Sequence, residues 1–255
     1  MTSRILANRA AIVTGAGQGV GEGIARALAA EGAHVVVADI NPERADAVAA
    51  EINGLAVHCD VTVEQDVAST VATTVKHFGT VDILVNNAMA QRPGVPLQDM
   101  SSADFDLAYG SGPVATFLFM RECFPYLRGT GTDDQSGGRI INLRSGAELQ
   151  GLAGFGAYAA AKGAIAALTR VAAREWGVHG ITVNAVAPFV LTEQAEQYFA
   201  AHPDELQGLL AQTSIPRTGN AQLDVGRAVV FLAGPDASYL TGCTLPVDGG
   251  GLIFS

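Results

Sequence analysis

Short apolar runs alternate with amphipathic stretches along nearly the whole chain. The apolar runs predict strands, because each is too short for a buried helix and is bounded by turn-forming residues. They lie at residues 11–13, 34–38, 55–60, 82–86, 139–143, 182–186 and 244–247. The stretches between them carry apolar residues at helical spacing, as in Val20, Ile24, Ala27 and Leu28. This alternation predicts an α/β fold with a single doubly wound parallel sheet and helices on both faces.

Local signals predict where several helices begin. Asn41 followed by Pro42 has the form of an N-cap and a first helical residue. Thr62 with Gln65 has the form of a capping box. Further helices are expected at residues 114–127, 158–176 and 221–232.

The chain shows no repeat or linker, so residues 1–255 are predicted to form one domain. Residues 129–138, which are rich in glycine, and residues 190–214 are predicted to be mobile. Gly163 is expected to allow close packing of its helix against a neighbour.

A glycine-rich segment follows the first predicted strand and opens the first helix. Gly15, Gly19 and Gly21 allow a tight turn and let the backbone approach a pyrophosphate, which the helix N-terminus attracts. The second strand ends in Asp39, eighteen residues beyond Gly21. A carboxylate at about that distance accepts a hydrogen bond from a ribose hydroxyl and repels a 2′-phosphate. The segment therefore predicts a Rossmann-like site for NAD.

A second set of residues indicates proton transfer. Tyr158 and Lys162 lie four residues apart, on one face of a predicted helix, and Ser145 lies thirteen residues upstream of the tyrosine. An ammonium group beside a phenol favours the phenolate and is expected to lower its pKa from the ordinary value of about 10. The serine hydroxyl can polarise a substrate oxygen while the tyrosine transfers the proton.

Composition and charge exclude several classes of protein. The chain has 255 residues, 49% of them hydrophobic, so it can bury a sizeable core. A net charge of −10 disfavours nucleic acid and anionic membranes as partners, and no apolar run reaches the roughly 18 residues of a membrane span. No signal peptide fits ahead of the first strand. The three cysteines and five histidines show no metal-ligand spacing, which favours reduced thiols in a cytoplasmic protein without a metal site.

These residues together resemble the short-chain dehydrogenase/reductase family over nearly the whole chain. The family's T-G-x-x-x-G-x-G stands at residues 14–21, its N-N-A-G is similar to residues 86–89, and its catalytic residues match Ser145, Tyr158 and Lys162. Segments 184–188, 239–242 and 247–250 resemble its later motifs. The resemblance implies that the cofactor is bound by Gly15, Gln18, Gly19, Val20, Gly21, Asp39, Ile40, Asp60, Val61, Asn87, Ala88, Tyr158, Lys162, Pro188, Val190 and Thr192.

The activity that the resemblance implies is hydride transfer between NAD(H) and the carbon of a secondary alcohol or ketone. Tyr158 would exchange the proton, Ser145 would bind the substrate oxygen, and Lys162 would also bind the nicotinamide ribose. Residues 193–212 match the segment that closes over substrate in the family, and their mixed composition favours a small to medium, apolar or alicyclic substrate. The resemblance also implies a homotetramer, with the segment ending at Ser255 at an interface.

Four features depart from the family pattern around one pocket. Gly112 stands where the family has an asparagine that holds a relay water, and Pro113 follows it. Met89 replaces the glycine of N-N-A-G, and Arg144 precedes the serine where a small residue is common. Residues 188–192 are one residue shorter than the family's P-G-x-x-x-T. Together they indicate an unusual substrate or a modified turnover.

Other functions stay open at this point. Gly112 favours a dinucleotide-binding protein with little catalysis, acting as a sensor or assembly partner, although Ser145, Tyr158 and Lys162 are all present. A 3-oxoacyl-thioester reductase is an alternative within the family. Dehalogenase-like chemistry would require a damaged glycine turn and an arginine at position 162, and the sequence has neither.

Overall fold

The computed structural model describes residues 4–128, 137–191, 193–211 and 213–252. Seven strands in these ranges form one parallel sheet in the order β3-β2-β1-β4-β5-β6-β7. The strands are β1 Ala10–Thr14, β2 His34–Asp39, β3 Leu55–His58, β4 Ile83–Asn86, β5 Arg139–Leu143, β6 Thr182–Pro188 and β7 Thr244–Val247. The predicted doubly wound sheet is confirmed. Strand order reverses between β1 and β4, which opens a crevice at the carboxyl ends of the strands.

The helices cover both faces of this sheet. They are α1 Gly19–Ala30, α2 Pro42–Ile52, α3 Glu64–Phe78, α4 Ser102–Tyr109, α5 Ala115–Leu127, α6 Ala147–Gln150, α7 Gly156–Trp176, α8 Glu193–Ala201, α9 Pro203–Leu210 and α10 Arg227–Ala233. On one face Ile24, Leu28 and Val230 belong to a buried cluster, and on the other Val67 and Phe119 belong to a second. The sheet lies between these two cores, so both of its faces are buried, as parallel sheets require.

The ends of the early helices test the capping predictions. The Asn41 side chain accepts a hydrogen bond of 2.9 Å from the backbone N–H of Arg44, as expected of an N-cap. The capping box predicted at Thr62 is wrong, because α3 begins at Glu64 and the Thr62 hydroxyl donates instead to Asp60 at 2.7 Å. A capping box that the sequence analysis missed starts α4 at Ser101. Its third helical residue is an aspartate rather than the expected glutamate or glutamine.

The helix predicted to begin at residue 114 is continuous with α4 through a π-helical turn at Gly110–Val114. Pro113 has no N–H to donate, and its ring crowds the carbonyl four residues earlier. A widened turn removes that conflict, and the Ala115 N–H reaches back five residues to the Gly110 carbonyl. The π-helical turn therefore accommodates the proline without ending the helix. A second π-helical turn, Ala221–Gly226, precedes α10.

Two further expectations concern glycine and chain mobility. The close packing predicted for Gly163 is wrong, because it is exposed and a Cβ built there would meet no atom within 4 Å among the described residues. Of the segment predicted to be mobile at 129–138, residues 129–136 lie outside the described ranges. The segment 190–214 contains α8 and α9. A search of the described helices finds none with the length and apolar character needed to cross a membrane.

Candidate active site

A cavity of about 890 Å³ occupies the crevice at the carboxyl ends of the strands. Most of the residues predicted from the sequence line it: Gly15, Gln18, Gly19, Val20, Asp39, Ile40, Asp60, Val61, Asn87, Ala88, Tyr158, Lys162, Pro188 and Val190. Gly21 and Ser145 lie next to lining residues in the chain but are outside the lining itself, and Thr192 lies outside the described residues. Residues from six of the seven strand ends therefore meet in one space.

The glycine turn before α1 is held by backbone contacts. Gly15 and Gly19 have φ values of +61° and +59°, which side chains rarely adopt. A Cβ on Gly21 would lie 2.2 Å from the carbonyl oxygen of Gly15, so no larger residue fits. The Gln18 side chain at the N-cap makes no capping hydrogen bond in the described structure. The turn therefore offers amide groups and a positive helix end to an anion, and its shape fits a pyrophosphate.

Asp39 lies beside this turn at the end of β2. It is almost completely buried, and its two carboxylate oxygens accept from the backbone N–H groups of Gly17 at 2.8 Å and Asn41 at 2.9 Å. The carboxylate thus supports the glycine turn as well as placing a negative charge in the cavity. Its charge disfavours a 2′-phosphate, and its remaining lone pairs can accept from a ribose hydroxyl.

Asn87 and Thr14 join the ends of the two central strands. The Asn87 amide donates to the carbonyls of Thr14 at 2.9 Å and Gly15 at 3.0 Å. The Thr14 hydroxyl accepts from the N–H groups of Asn87 and Ala88. Asn87 therefore supports the turn in addition to lining the cavity. The glycine motif assigns Thr14 no role, and only the fold shows that its hydroxyl reaches the residues after β4.

Ser145 and Tyr158 form the polar part of the catalytic end. Ser145 lies just after β5, and its Oγ accepts from the Ala147 N–H at 3.2 Å. Removal from water raises the pKa of Tyr158, and a hydrogen bond with Ser145 opposes that rise. The direction is opposite to the expected lowering, because burial outweighs the other effects. The sequence could show the spacing of these residues but not how far the fold would dehydrate the phenol.

Lys162 is buried one helical turn after Tyr158. Its Nζ donates to the Leu143 carbonyl at 2.6 Å and lies 5.6 Å from the centre of the Tyr158 ring. Burial lowers the pKa of Lys162 to about 7, because the fold removes the ammonium from water. The predicted proximity of ammonium and phenol is therefore present. The sequence analysis did not identify the Leu143 carbonyl, since a backbone acceptor has no residue signature.

A buried chain of side-chain hydrogen bonds fixes α7 on the sheet. Asn86 on β4 donates to Asn142 on β5 at 2.9 Å, and Asn142 donates to Thr169 on α7 at 2.9 Å. The Thr169 hydroxyl donates to the carbonyl of Ile165. These contacts complement the bond from Lys162, so the helix carrying Tyr158 is attached to the sheet at two levels. Asn142 and Thr169 belong to no motif that the sequence analysis used.

The departures from the family pattern lie around the same end of the cavity. Met89 lines the cavity and lies beside Gly112. Arg144 forms a buried ion pair with Glu148 and donates to the Thr244 hydroxyl at 2.5 Å. Burial lowers the pKa of Arg144, and the charge of Arg170 adds to that effect.

The shortened segment after β6 is held by the backbone of Phe189. Its N–H donates to the carbonyl of Val247 at 3.0 Å, and its carbonyl accepts from Gly219 at 3.0 Å. A Cβ on Gly219 would lie 2.7 Å from that carbonyl oxygen, so the glycine permits this contact. The segment therefore keeps a defined path in spite of the missing residue.

Comparison with known proteins identifies the class. The family model described as Enoyl-(Acyl carrier protein) reductase, a model of short-chain dehydrogenases, matches residues 15–251. A 12alpha-hydroxysteroid dehydrogenase from Clostridium sp. is 40% identical in an alignment 258 positions long, gaps included, that covers 96% of this chain and 97% of that protein. A 2,5-dichloro-2,5-cyclohexadiene-1,4-diol dehydrogenase from Sphingobium indicum is 36% identical over 247 residues, spanning 96% and 97%.

A solved structure gives the same result. A 7 alpha-hydroxysteroid dehydrogenase complexed with NADH and 7-oxo glycochenodeoxycholic acid has a TM-score of 0.88 and 35% identity, with 98% of this chain and 96% of that chain covered. The chain belongs to the short-chain dehydrogenase/reductase family. Within that family it is an alcohol dehydrogenase or carbonyl reductase, which confirms the predicted family, fold and enzyme class.

Proposed function

We propose that the protein interconverts a secondary alcohol and a ketone on a small to medium alicyclic substrate. The observation that carries this proposal is the meeting of a dinucleotide turn with Tyr158 and Lys162 in one cavity. Similar proteins are named for ring-bearing alcohols, a hydroxysteroid and a cyclohexadiene diol. The intact proton-transfer residues oppose the alternative of a dinucleotide-binding protein with little catalysis.

The cofactor is NAD, and when bound it accepts or supplies the hydride. Gly15, Gly19 and Gly21 would hold its pyrophosphate, because the positive φ at the first two and the tight fit of the third against the Gly15 carbonyl give the turn its shape. Asp39 would bind the adenosine ribose and exclude NADP by charge repulsion. Asp60 and Val61, which line the cavity beside this turn, would form the adenine end.

Tyr158 would transfer the proton of the substrate oxygen. Ser145 lies close enough to oppose the rise in the pKa of the phenol, so the two hydroxyl groups can bind the same substrate oxygen. Because burial raises the pKa of the phenol, Tyr158 is protonated at neutral pH and is suited to act as an acid on a ketone. In the oxidation direction it would need to lose that proton, which the nearby charge of Lys162 favours.

Lys162 would act on Tyr158 through its charge and would also bind the nicotinamide ribose. The pKa of about 7 means that the ammonium exchanges a proton near neutral pH. The bond to the Leu143 carbonyl fixes its Nζ beside the ring of Tyr158. Proton transfer should therefore be sensitive to pH in this range.

A substrate panel followed by the absorbance of NADH tests the proposal. It should contain alicyclic secondary alcohols, the matching ketones and a 3-oxoacyl thioester. We expect turnover of alicyclic substrates, and Tyr158→Phe should lower kcat at least about a hundredfold while changing NADH affinity little. Tyr126→Phe, at a half-exposed tyrosine on α5, is the matched control. Faster turnover of the thioester would favour the thioester reductase, and no turnover of any compound would favour the non-catalytic protein.

We further propose a homotetramer in the cytoplasm. Tyr239 is fully exposed, and Leu240 and Leu245 are also exposed near the edge strand β7. Val114 and Phe117 form a second exposed apolar set at the start of α5. A homotetramer can use two different contacts between its subunits, and each contact needs an exposed apolar surface of this kind. The predicted contribution of Ser255 lies outside the described residues, and analytical ultracentrifugation of the protein tests the assembly.

The segment 190–214 is proposed to cover the substrate. Leu191 and Glu196 both line the cavity, and α8 and α9 lie in this segment. Faster proteolysis within residues 190–214 in the free protein than with NADH and product present would support a closing motion. Equal cleavage rates would contradict it.

A further inference from the structure

Met89, in the loop after β4, lies beside Gly112 of the π-helical turn. A Cβ built on Gly112 would lie 3.3 Å from Cε and 3.5 Å from Sδ of Met89. The Met89 thioether therefore occupies the space that a side chain at position 112 would enter. Since Met89 also lines the cavity, a larger residue at 112 would displace it toward the space available to substrate.

Met89 also packs against the helix that carries the proton-transfer pair. It contacts a small buried cluster formed by Ala108, Ala157 and Ala161. A Cβ on Gly112 would lie 3.7 Å from the Cβ of Ala161. Ala157 and Ala161 directly precede Tyr158 and Lys162 in the chain, so the thioether lies beside the part of α7 where chemistry is proposed.

The loop carrying Met89 is fixed by Ser111. The Ser111 Oγ accepts from the Ala90 N–H at 2.9 Å and donates to the Leu107 carbonyl at 2.7 Å. Ser111 is buried and belongs to the same π-helical turn as Gly112. Because the backbone next to Met89 is attached to this turn, pressure on Met89 is expected to move its side chain rather than the loop.

We propose that Met89 is a specificity-determining residue whose thioether forms the cavity wall beside Tyr158, and that Gly112 provides the recess that holds it. This inference rests on the proposed dehydrogenase function. Met89 limits the bulk of groups next to the carbon that bears the hydroxyl. An unbranched thioether can fit the irregular apolar surface of an alicyclic ring, which a β-branched residue could not do as well.

The test compares Gly112→Ala, Met89→Ala and the double variant on cyclohexanol and on 2,2-dimethylcyclohexanol. The quantity compared is kcat/KM for 2,2-dimethylcyclohexanol divided by kcat/KM for cyclohexanol. Gly112→Ala should lower this ratio about tenfold, and Met89→Ala should raise it about tenfold. In the Met89→Ala background, Gly112→Ala should have almost no further effect on that ratio, because the displaced side chain is absent. Gly163→Ala, at an exposed glycine on α7, is the control.

Three results would overturn the inference or separate it from the proposed function. Equal effects of Gly112→Ala in both backgrounds would show that position 112 does not act through Met89. Unchanged substrate ratios in every variant would show that Met89 does not limit substrate bulk while leaving the proposed function intact. A wild-type protein inactive on all alicyclic alcohols and ketones would overturn both. If Gly112→Ala does not fold, Met89→Leu and Met89→Ala are compared by the same substrate ratio. Equal ratios in these two variants would show that the size of residue 89 does not limit substrate bulk.

Discussion

The dinucleotide end and the catalytic end of the cavity are held in place by different means. At the dinucleotide end, the tightest constraints are between backbone atoms, as between Gly21 and the Gly15 carbonyl. At the catalytic end, side chains support one another, as Met89 does against Ala161 and Glu148 does with Arg144. Three departures from the family pattern, at Met89, Gly112 and Arg144, lie at the catalytic end.

The difference between the two ends shows which kind of structural constraint permits amino-acid substitution. A Cβ at position 21 would lie 2.2 Å from the carbonyl oxygen of Gly15, which leaves no alternative to glycine there, whatever the neighbouring side chains are. A side-chain contact can be exchanged when both partners change together. The catalytic end can therefore acquire new substrates while the dinucleotide end keeps the same cofactor.

The largest expected effect on stability comes from the buried ion pair at the catalytic end. Arg144→Met leaves the Glu148 carboxylate buried without a cation, so the free energy of unfolding should fall by about 3–5 kcal/mol. Arg144→Met with Glu148→Leu should recover most of that loss. Arg217→Met, in the exposed pair with Asp224, should cost much less, because solvent screens exposed ion pairs. Urea unfolding measures all three, and equal losses for the two single variants would contradict the comparison.

Lys162→Met should change how stability depends on pH. The pKa of Lys162 falls from 10.5 to about 7 on folding, so the folded chain binds fewer protons than the unfolded chain between these values. The stability contributed by neutral Lys162 is present above pH 10.5 and is lost as pH falls to 7. The variant should therefore gain stability relative to wild type as pH falls across this window, by a few kcal/mol in total.

Thermal unfolding of Lys162→Met across pH 6–10.5 measures this difference. Lys76→Met, at an exposed position on α3, is the matched control and should show no such trend. A stability difference independent of pH would show that Lys162 is not held with a lowered pKa.

Gly21→Ala tests the backbone constraint at the dinucleotide end. Its Cβ would overlap the Gly15 carbonyl, so we expect a loss of about 1–3 kcal/mol in unfolding free energy and at least a tenfold loss in NADH affinity. Gly163→Ala should instead gain about 0.5–1 kcal/mol, because its Cβ meets open space on a helix. Calorimetry measures the stability of both variants, and titration with NADH measures their affinity. A normal NADH affinity in Gly21→Ala would contradict the proposal that this turn binds the pyrophosphate.

The smallest expected effect concerns cofactor preference. Asp39→Ala should narrow the preference for NAD over NADP by about tenfold, mainly by weakening NAD, since a charged hydrogen-bond acceptor is lost. Part of the loss should come from the turn itself, because Asp39 also accepts from Gly17. Comparing kcat/KM for both cofactors tests this prediction. The preference of Asp39→Asn for NAD should lie between the preferences of the wild type and Asp39→Ala. A wild type that uses NADP as well as NAD would contradict the proposal.

Regular patterns in the sequence predicted the fold and the dinucleotide turn well. Apolar runs predicted seven strands, and β3 ended at His58, two residues before its predicted end. The glycine spacing predicted the turn because glycine is required there by backbone geometry alone. Prediction failed where two competing local bonds were available, as at Thr62, whose hydroxyl binds Asp60 instead of capping α3.

Features that depend on contacts distant in sequence could not be predicted. The sequence marked Met89 and Gly112 as separate departures, and only the fold shows that Met89 occupies the space beside Gly112. The pKa of Tyr158 was predicted in the wrong direction because its burial depends on the whole fold. The Leu143 carbonyl beside Lys162 was missed because every residue has a carbonyl.

The π-helical turn at Gly110–Val114 also sets the rotational phase of α5. An α-helix advances about 100° per residue, so one residue more or fewer before α5 would rotate every later side chain by that angle. In the present phase Phe119 and Cys123 face the core, while Val114 and Phe117 are exposed. Deleting one residue from the turn would exchange part of these two faces. The turn that contains Pro113 thereby determines which surface α5 presents to solvent.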